Sequence, residues 1–372
     1  MGYEIETALL KALLPAIIAA EDALARLDER VSHSPVGKGF SERAHYFDSV
    51  SALWVAGELV HVEDLVLHDV HMDSQAPSHE LTIAAAILRT RRRLWAAEKN
   101  WPFTPGGLSA LSGGEDSSAE RLPVATSSSY EDNRDDVEDG FSSQLAEIDA
   151  VLARSQKLIN SHFSPPPGEE LVAPSIVKDN DPLGLFANED WDEAKRLGQW
   201  RAAVDAADSL PPVLGAAMLF ELWQKIEPLR RQNWLGGLLA EAYLRRSGKV
   251  SSHLFAFHVG LKSIRYERRR SRDRLTRLGA YLEAMTETAQ TGLKEIDRLT
   301  IARTQLETRF RDRRSNSSLP KLAEFVLSRP LVSSGMVAHE LGITNRGALN
   351  LLKETGIREL TGRGRYRAWG IL

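Results

Sequence analysis

The chain has 372 residues, a net charge of −4 and 42% hydrophobic residues, enough apolar content at this length for two or three domains with real cores. It contains no cysteine, which excludes disulfide frameworks, thiolate metal sites and thiol nucleophiles and fits a reducing compartment. The charge is uneven: residues 225–372 carry 29 Lys and Arg against 14 Asp and Glu, whereas the first 224 carry 18 against 37, so the C-terminal half is expected to meet a polyanion.

Residues 3–31 read as an amphipathic helix with Leu9, Leu10, Leu13, Ile17, Leu24 and Val31 on its apolar face. The apolar run from Ala12 to Ala20 contains Pro15 and is too short to span a bilayer, and no signal pattern precedes it. A soluble cytoplasmic protein with no membrane association is therefore expected. Helices over 41–68 and 79–99 complete an N-terminal helical region, 1–100. His61, His68, His71 and His79 crowd this region together with Glu63, Asp64, Asp69 and Asp73. No His-Glu-x-x-His pattern is present and the acids scatter around the helix, so no metal site is expected.

Residues 101–140, rich in Gly, Ser, Pro and acids, read as a flexible acidic linker. Within it, Leu111-Ser112-Gly113-Gly114-Glu115 matches the signature of transporter-type ATPases. No phosphate-cradling Gly-x-x-x-x-Gly-Lys loop accompanies it anywhere in the chain, so the match is set aside. A helix resumes at 142–160, and a proline-rich connection runs through Pro165, Pro166 and Pro167 to Asn188.

The central helical domain is taken as 141–314, with its main helices from Asp190 to Arg314. Its organising stretch is Val213 to Arg246. An apolar helix carries Leu214, Met218, Trp223 and Ile226, a break falls at Pro228, and a second helix carries Leu235, Leu238, Leu239, Ala242 and Tyr243. Gly236 and Gly237 permit close packing of that second helix. Trp223, Trp234 and Tyr243 read as core in preference to a ligand pocket, and Glu221 and Glu227 do not share a helix face as a paired-carboxylate site would require. Lys262 to Met285 reads as one helix or two, with Leu275, Leu278, Leu282 and Met285 inward. A further helix over 286–313 packs through Leu293, Ile296, Leu299, Leu306 and Phe310.

The run Ile226-Glu227-Pro228, Asn233 and Gly237-Leu238-Leu239 resembles the central motif of Fic-fold proteins. Active members read His-Pro-Phe, an acidic residue and Gly-Asn-Gly-Arg, and transfer AMP to protein hydroxyls. Here Glu227 stands at the histidine position, Pro228 keeps the proline, Arg231 replaces the acid, and only Asn233 survives of the loop, ahead of Gly236 and Gly237. The resemblance implies a mainly α, Fic-like helical bundle without its catalytic base, hence no catalytic residue, no cofactor and no AMP transfer. The alternative is a nucleotide-binding or nucleotidyl-transferring enzyme with a rebuilt pocket. The element order as a whole, with an arginine- and tyrosine-bearing segment, a long helix and a C-terminal winged helix, resembles a plasmid-borne bacterial family of unknown function with a helix-turn-helix.

The C-terminal domain, 315–372, carries the strongest functional pattern. Residues 319–329 form a first helix with Leu322, Phe325 and Val326 inward. Ser334 is placed to cap a short helix from Gly335 to Leu341, Gly342 to make the turn, and Thr344 to cap a second helix with Ala348, Leu349, Leu351 and Leu352 on its apolar face. That spacing is a helix-turn-helix, whose second helix enters the major groove. Arg358 to Leu360, the turn Thr361-Gly362-Arg363-Gly364 and Arg365 to Trp369 read as a wing. Thr344, Asn345, Arg346, Asn350 and Lys353 are the expected contacts of the reading helix, because Asn and Arg pair bidentately with adenine and guanine edges. Arg363, Arg365 and Arg367 are expected on phosphates, which position the protein without reading sequence. The expected partner is double-stranded DNA, bound sequence-specifically by a transcriptional regulator with a homodimer as candidate assembly and an effector the sequence does not name. A protein-binding adaptor is the other alternative.

Overall fold

A computed structural model describes residues 6–72, 76–113, 191–310, 318–360 and 367–371. The amphipathic N-terminal sequence forms α1 (Thr7–His33), whose buried residues Leu13, Ile17, Ala20, Leu24, Leu27 and Val31 recur at helical spacing. The helix expected over 41–68 is two helices, α2 (Gly37–Ala56) and α3 (Val62–Asp69). Gly57 stops α2 in the left-handed region at φ 97°, and its N–H closes the last turn onto Leu53 and Trp54 carbonyls. Helix α4 (His79–Ala96) starts where the Ser78 side chain accepts from the Leu81 N–H.

The first part of the expected linker is folded. Trp101–Phe103 form a 3-10 turn and Pro105–Ser112 form α5, capped by Thr104, with Phe103, Leu108 and Leu111 buried in the core. Apolar residues at the spacing of 103, 108 and 111 outweigh the local Gly and Pro, both of which suit a helix start. Residues 114–140, and the helix expected at 142–160, lie outside the described residues.

After α6 (Glu193–Ala207) comes α7 (Pro212–Ile226), in which every residue from Val213 to Trp223 is buried. A helix apolar all round belongs at the centre of a core. Helix α8 (Leu235–Arg246) packs on it through glycines. A Cβ at Gly236 would overlap the Trp223 ring, one at Gly237 would overlap His258, and one at Gly215 would lie 2.7 Å from the Tyr243 hydroxyl. Trp223 and Tyr243 are thus core residues, and the glycine pair serves ring-to-backbone packing.

Next come α9 (Phe257–Ser263), α10 (Tyr266–Arg269) and α11 (Arg274–Phe310). The separate helix expected from residue 286 does not exist. Thr286-Glu287-Thr288-Ala289 offers no breaker, so α11 runs unbroken for 37 residues, about 55 Å. Of its expected inward stripe, Leu278, Leu282 and Met285 are buried while Leu275 is 39% exposed. Helix α1 lies along α11 in the same direction: Leu13 lies over Gly279, Leu27 over Gly292, and Arg30 pairs with Asp297 at 2.7 Å. The boundary expected at residue 100 therefore divides nothing, because α1 to α5 share one core with α6 to α11.

A buried charge cluster joins α2, α4, α8 and α9. Asp48, Arg91 and Glu241 have fully buried side chains and His258 is 2% exposed. The Arg91 guanidinium donates to Asp48 at 2.5 Å, to Glu241, and to the Phe255 carbonyl at 3.2 Å. His258 Nδ1 lies 3.0 Å from Asp48 Oδ2, and the His258 N–H donates to Asp48 Oδ1 at 2.8 Å. Burial alone would neutralise each group; the opposite charges of Asp48 and Glu241 overcome it and push His258 up to about 9. Burial likewise pushes Glu241 up to about 7, while Arg91 and His258 hold Asp48 well below the usual carboxylate range.

The C-terminal segment folds as α12 (Leu319–Ser328), β1 (Val332–Ser333), α13 (Ser334–Leu341), α14 (Asn345–Thr355), β2 (Arg358–Glu359) and β3 (Ala368–Gly370). Its three strands lie in the order β1-β3-β2, all antiparallel, with Val332 opposite Trp369 and Arg358 opposite Gly370. The fold is mainly α, with this small sheet its sole β structure among the described residues. Helix α12 packs on the start of α2, where Gly39 leaves room for the Leu327 carbonyl. Among the described residues no helix is long and apolar enough to cross a membrane.

Candidate nucleic-acid interface

The helix-turn-helix forms by local capping. Ser333, one residue before the expected cap, accepts from the Met336 N–H at 3.2 Å, because Ser333 has the extended backbone that a cap needs and Ser334 is already helical. Gly342 turns the chain at φ 64°, and the Thr344 hydroxyl accepts from the Gly347 N–H at 3.2 Å. Thr344 therefore sets where α14 begins. Ala348, Leu352 and Thr355 face inward. Asn345, Arg346, Asn350 and Lys353 are exposed. Arg346, Asn350 and Lys353 follow at steps of four and three, on one face spanning about 10 Å, or about three base pairs. Among the described residues none of the three is held by an ion pair.

The far end of α14 is fixed from the body. Arg309, near the end of α11, donates to the Thr355 carbonyl at 2.6 Å. Gly356 follows in the left-handed region at φ 63°, with no room for a Cβ beside that guanidinium. A second clamp comes from α2: Arg43, fully buried, pairs with Glu295 at 2.9 Å and donates to the carbonyls of Arg329 and Ile371. Arg367 is forked onto Glu359 at 2.8 and 2.5 Å and lies over the Trp369 ring, so it braces β2 against β3 as well as lying beside the wing. Arg363 and Arg365, with the turn expected at 361–364, lie outside the described residues.

Residues 319–372 match the model of an HTH DNA binding domain, and residues 185–311 match a family described as a protein of unknown function (DUF1612). The uncharacterized protein y4cF of Sinorhizobium fredii is 41% identical over 385 residues, spanning 100% of both chains. The chain belongs to the y4cF family. In this member the matched DNA-binding segment holds eight Lys and Arg against four Asp and Glu, a basic module on an otherwise acidic protein.

The residues of the Fic-like motif have separate settings in this family member. Glu227 is the exposed C-cap of α7, in the left-handed region at φ 43°, and Pro228 is buried behind it. Gly236 and Gly237 pack on rings. Asn233 exchanges hydrogen bonds with Gln224 at 3.3 and 3.4 Å and lines a cavity of about 210 Å³. Arg231 and Trp234 line it too, so Trp234, read from sequence as core, borders open space.

The histidines expected to be unligated, His61, His71 and His79, are exposed and are not brought together with His68. The fold instead gathers Asp48, Glu241 and His258, whose ligand atoms lie within 4.8 Å of one another. Arg91 supplies the positive charge between the two carboxylates, so this cluster reads as a structural ion network. Sequence spacing held no signal for it, since Arg91 and Glu241 are 150 positions apart and Asp48 and His258 are 210 apart.

Proposed function

We propose that this protein is a non-enzymatic transcriptional regulator that reads duplex DNA sequence-specifically through α14, on a helical body resembling a Fic scaffold that has lost its base. One observation carries the reading: a segment matching an HTH DNA binding domain presents Asn345, Arg346, Asn350 and Lys353 on the solvent face of its second helix. These residue types recognise base edges, whereas Arg363, Arg365 and Arg367 at the wing serve phosphates. The test compares selected and scrambled duplexes at two salt concentrations. Arg346→Ala shrinks the affinity gap between them, each lost base contact being worth about 1–3 kcal/mol. Arg365→Ala weakens both duplexes alike and lowers the salt slope by about one unit. If neither substitution changes DNA affinity, the module serves as a protein-binding adaptor.

A nucleotidyl-transferring enzyme is the second reading, favoured by the cavity beside Asn233 and Arg231. It lacks a base. Glu227 is not among the residues lining the cavity, and His258, which is, has its pKa pushed up to about 9 and keeps its proton at neutral pH. Incubation with labelled ATP and cell lysate is expected to label nothing.

A further inference from the structure

The cavity has a lining with a definite chemical bias. Four arginines border it, Arg230, Arg231, Arg269 and Arg270, and His258 closes its inner end. Glu58 is the one carboxylate in the lining. The walls between these groups are apolar or aromatic, including Leu53, Phe220, Trp234 and Tyr281. Four guanidiniums around one concavity with low-dielectric walls focus a positive potential into it.

Arg269 is the decisive residue. It is 8% exposed, and its Nε, fully shielded from solvent, has no hydrogen-bond partner. Its guanidinium lies over the rings of Trp54 at 5.9 Å and Tyr266 at 6.0 Å, which give that Nε no acceptor. A buried N–H donor without an acceptor is costly, and a ligand acceptor is one way to complete it. Burial and the neighbouring Arg270 both weaken its hold on its proton, as a bound anion would reverse. On the opposite account stands Glu58, whose Oε2 is also shielded and unpartnered, an acceptor waiting for a donor.

Size narrows the ligand. An apolar cavity of roughly 150 Å³ takes one benzene. The 210 Å³ here is room for a single ring with a small head group. We infer that this cavity binds a single-ring aromatic carboxylic acid bearing a ring hydroxyl or amine, its carboxylate on Arg269 and its donor on Glu58. The aromatic walls take the ring, by stacking and by area burial. This site is independent of the DNA reading, because its occupancy is measured without DNA.

The experiment is calorimetric titration of the full chain with 4-hydroxybenzoate, benzoate, inorganic phosphate and AMP. The expected order is 4-hydroxybenzoate tightest, benzoate weaker, and phosphate and AMP without measurable heat. Arg269→Gln is expected to weaken 4-hydroxybenzoate by at least about tenfold. Arg231→Ala, an exposed position that leaves the fold intact, keeps the test open if Arg269→Gln does not fold, and is expected to weaken it about threefold to tenfold. Glu58→Leu, which removes the acceptor, abolishes the advantage of 4-hydroxybenzoate over benzoate without weakening benzoate. No binding of either benzoate to the wild-type chain overturns the inference. So does binding that survives both arginine substitutions, or phosphate or AMP binding as tightly as the aromatic acids.

Discussion

The buried cluster of Asp48, Arg91, Glu241 and His258 makes a quantitative demand on stability. Arg91→Met keeps the aliphatic bulk and removes the guanidinium that serves both carboxylates and the Phe255 carbonyl. His258 is then the one cation left between Asp48 and Glu241. Breaking a buried ion pair by removing one partner costs about 3–5 kcal/mol. The orphaned carbonyl adds about 1 kcal/mol. Part of this is recoverable, because Glu241 has its pKa pushed up to about 7 even with Arg91 present and takes a proton more readily without it. The loss is therefore expected to be about 3 kcal/mol at pH 6 and about 5 kcal/mol at pH 8, a large share of a typical domain's stability. Urea unfolding at the two pH values measures it as a lowered midpoint at unchanged slope. The double variant Arg91→Met with Glu241→Gln should regain about 2 kcal/mol at pH 8, since the uncompensated charge is gone. A loss below about 1 kcal/mol, or a double variant no more stable than the single one, refutes the reasoning.

Other predictions concern the same core and the DNA-binding module. His258 has a folded pKa of about 9 against an ordinary 6.5, so its contribution is complete below pH 6.5 and is lost as pH rises to 9; wild-type stability should fall by ~3 kcal/mol across that window, and a His258→Asn chain should lose that fall and keep only the titration of Glu241. Gly236→Ala drives a methyl into the buried Trp223 ring, and thermal unfolding should register a loss of about 1–3 kcal/mol, whereas Gly106→Ala, whose Cβ meets nothing within 4 Å, should cost almost nothing. Glu359→Gln releases Arg367 from its fork, so scrambled duplex should bind more tightly and the salt slope should steepen by about one unit, unless Arg367 does not reach DNA.

The parts of this protein legible in sequence are those that local physics decides. The α1 stripe, the αL glycine at 342, the Thr344 cap and the apolar face of α14 each depend on residues within a few positions of one another, and each expectation matches the structure. Errors arose where tertiary packing overrode local composition. Trp101 to Ser112 looks like linker, but Phe103, Leu108 and Leu111 reach the core. The helix over 41–68 was split because a single Gly57 outweighs the apolar periodicity around it. The Fic-like motif points to Asn233, while the residue with the most pronounced chemistry in that cavity, Arg269, lies in an arginine-rich run. Nothing in such a run distinguishes the one guanidinium that folding buries from its solvated neighbours.

The two clamps on the C-terminal module have a geometric consequence for any DNA that this protein occupies as a pair of copies. Arg43 grips both ends of the segment, at Arg329 and Ile371, and Arg309 grips the end of α14 itself. A reading head on a loose tether tolerates half-sites at variable separation. Here the orientation of α14 is inherited from a body built around a helix of 37 residues. Two such bodies act as a ruler. Inserting one base pair between half-sites moves the second target by about 3.4 Å and rotates it by about a tenth of a turn, displacing it from a head that cannot follow. If two copies of this chain bind duplex DNA as a pair, their half-sites are then expected to keep one fixed spacing.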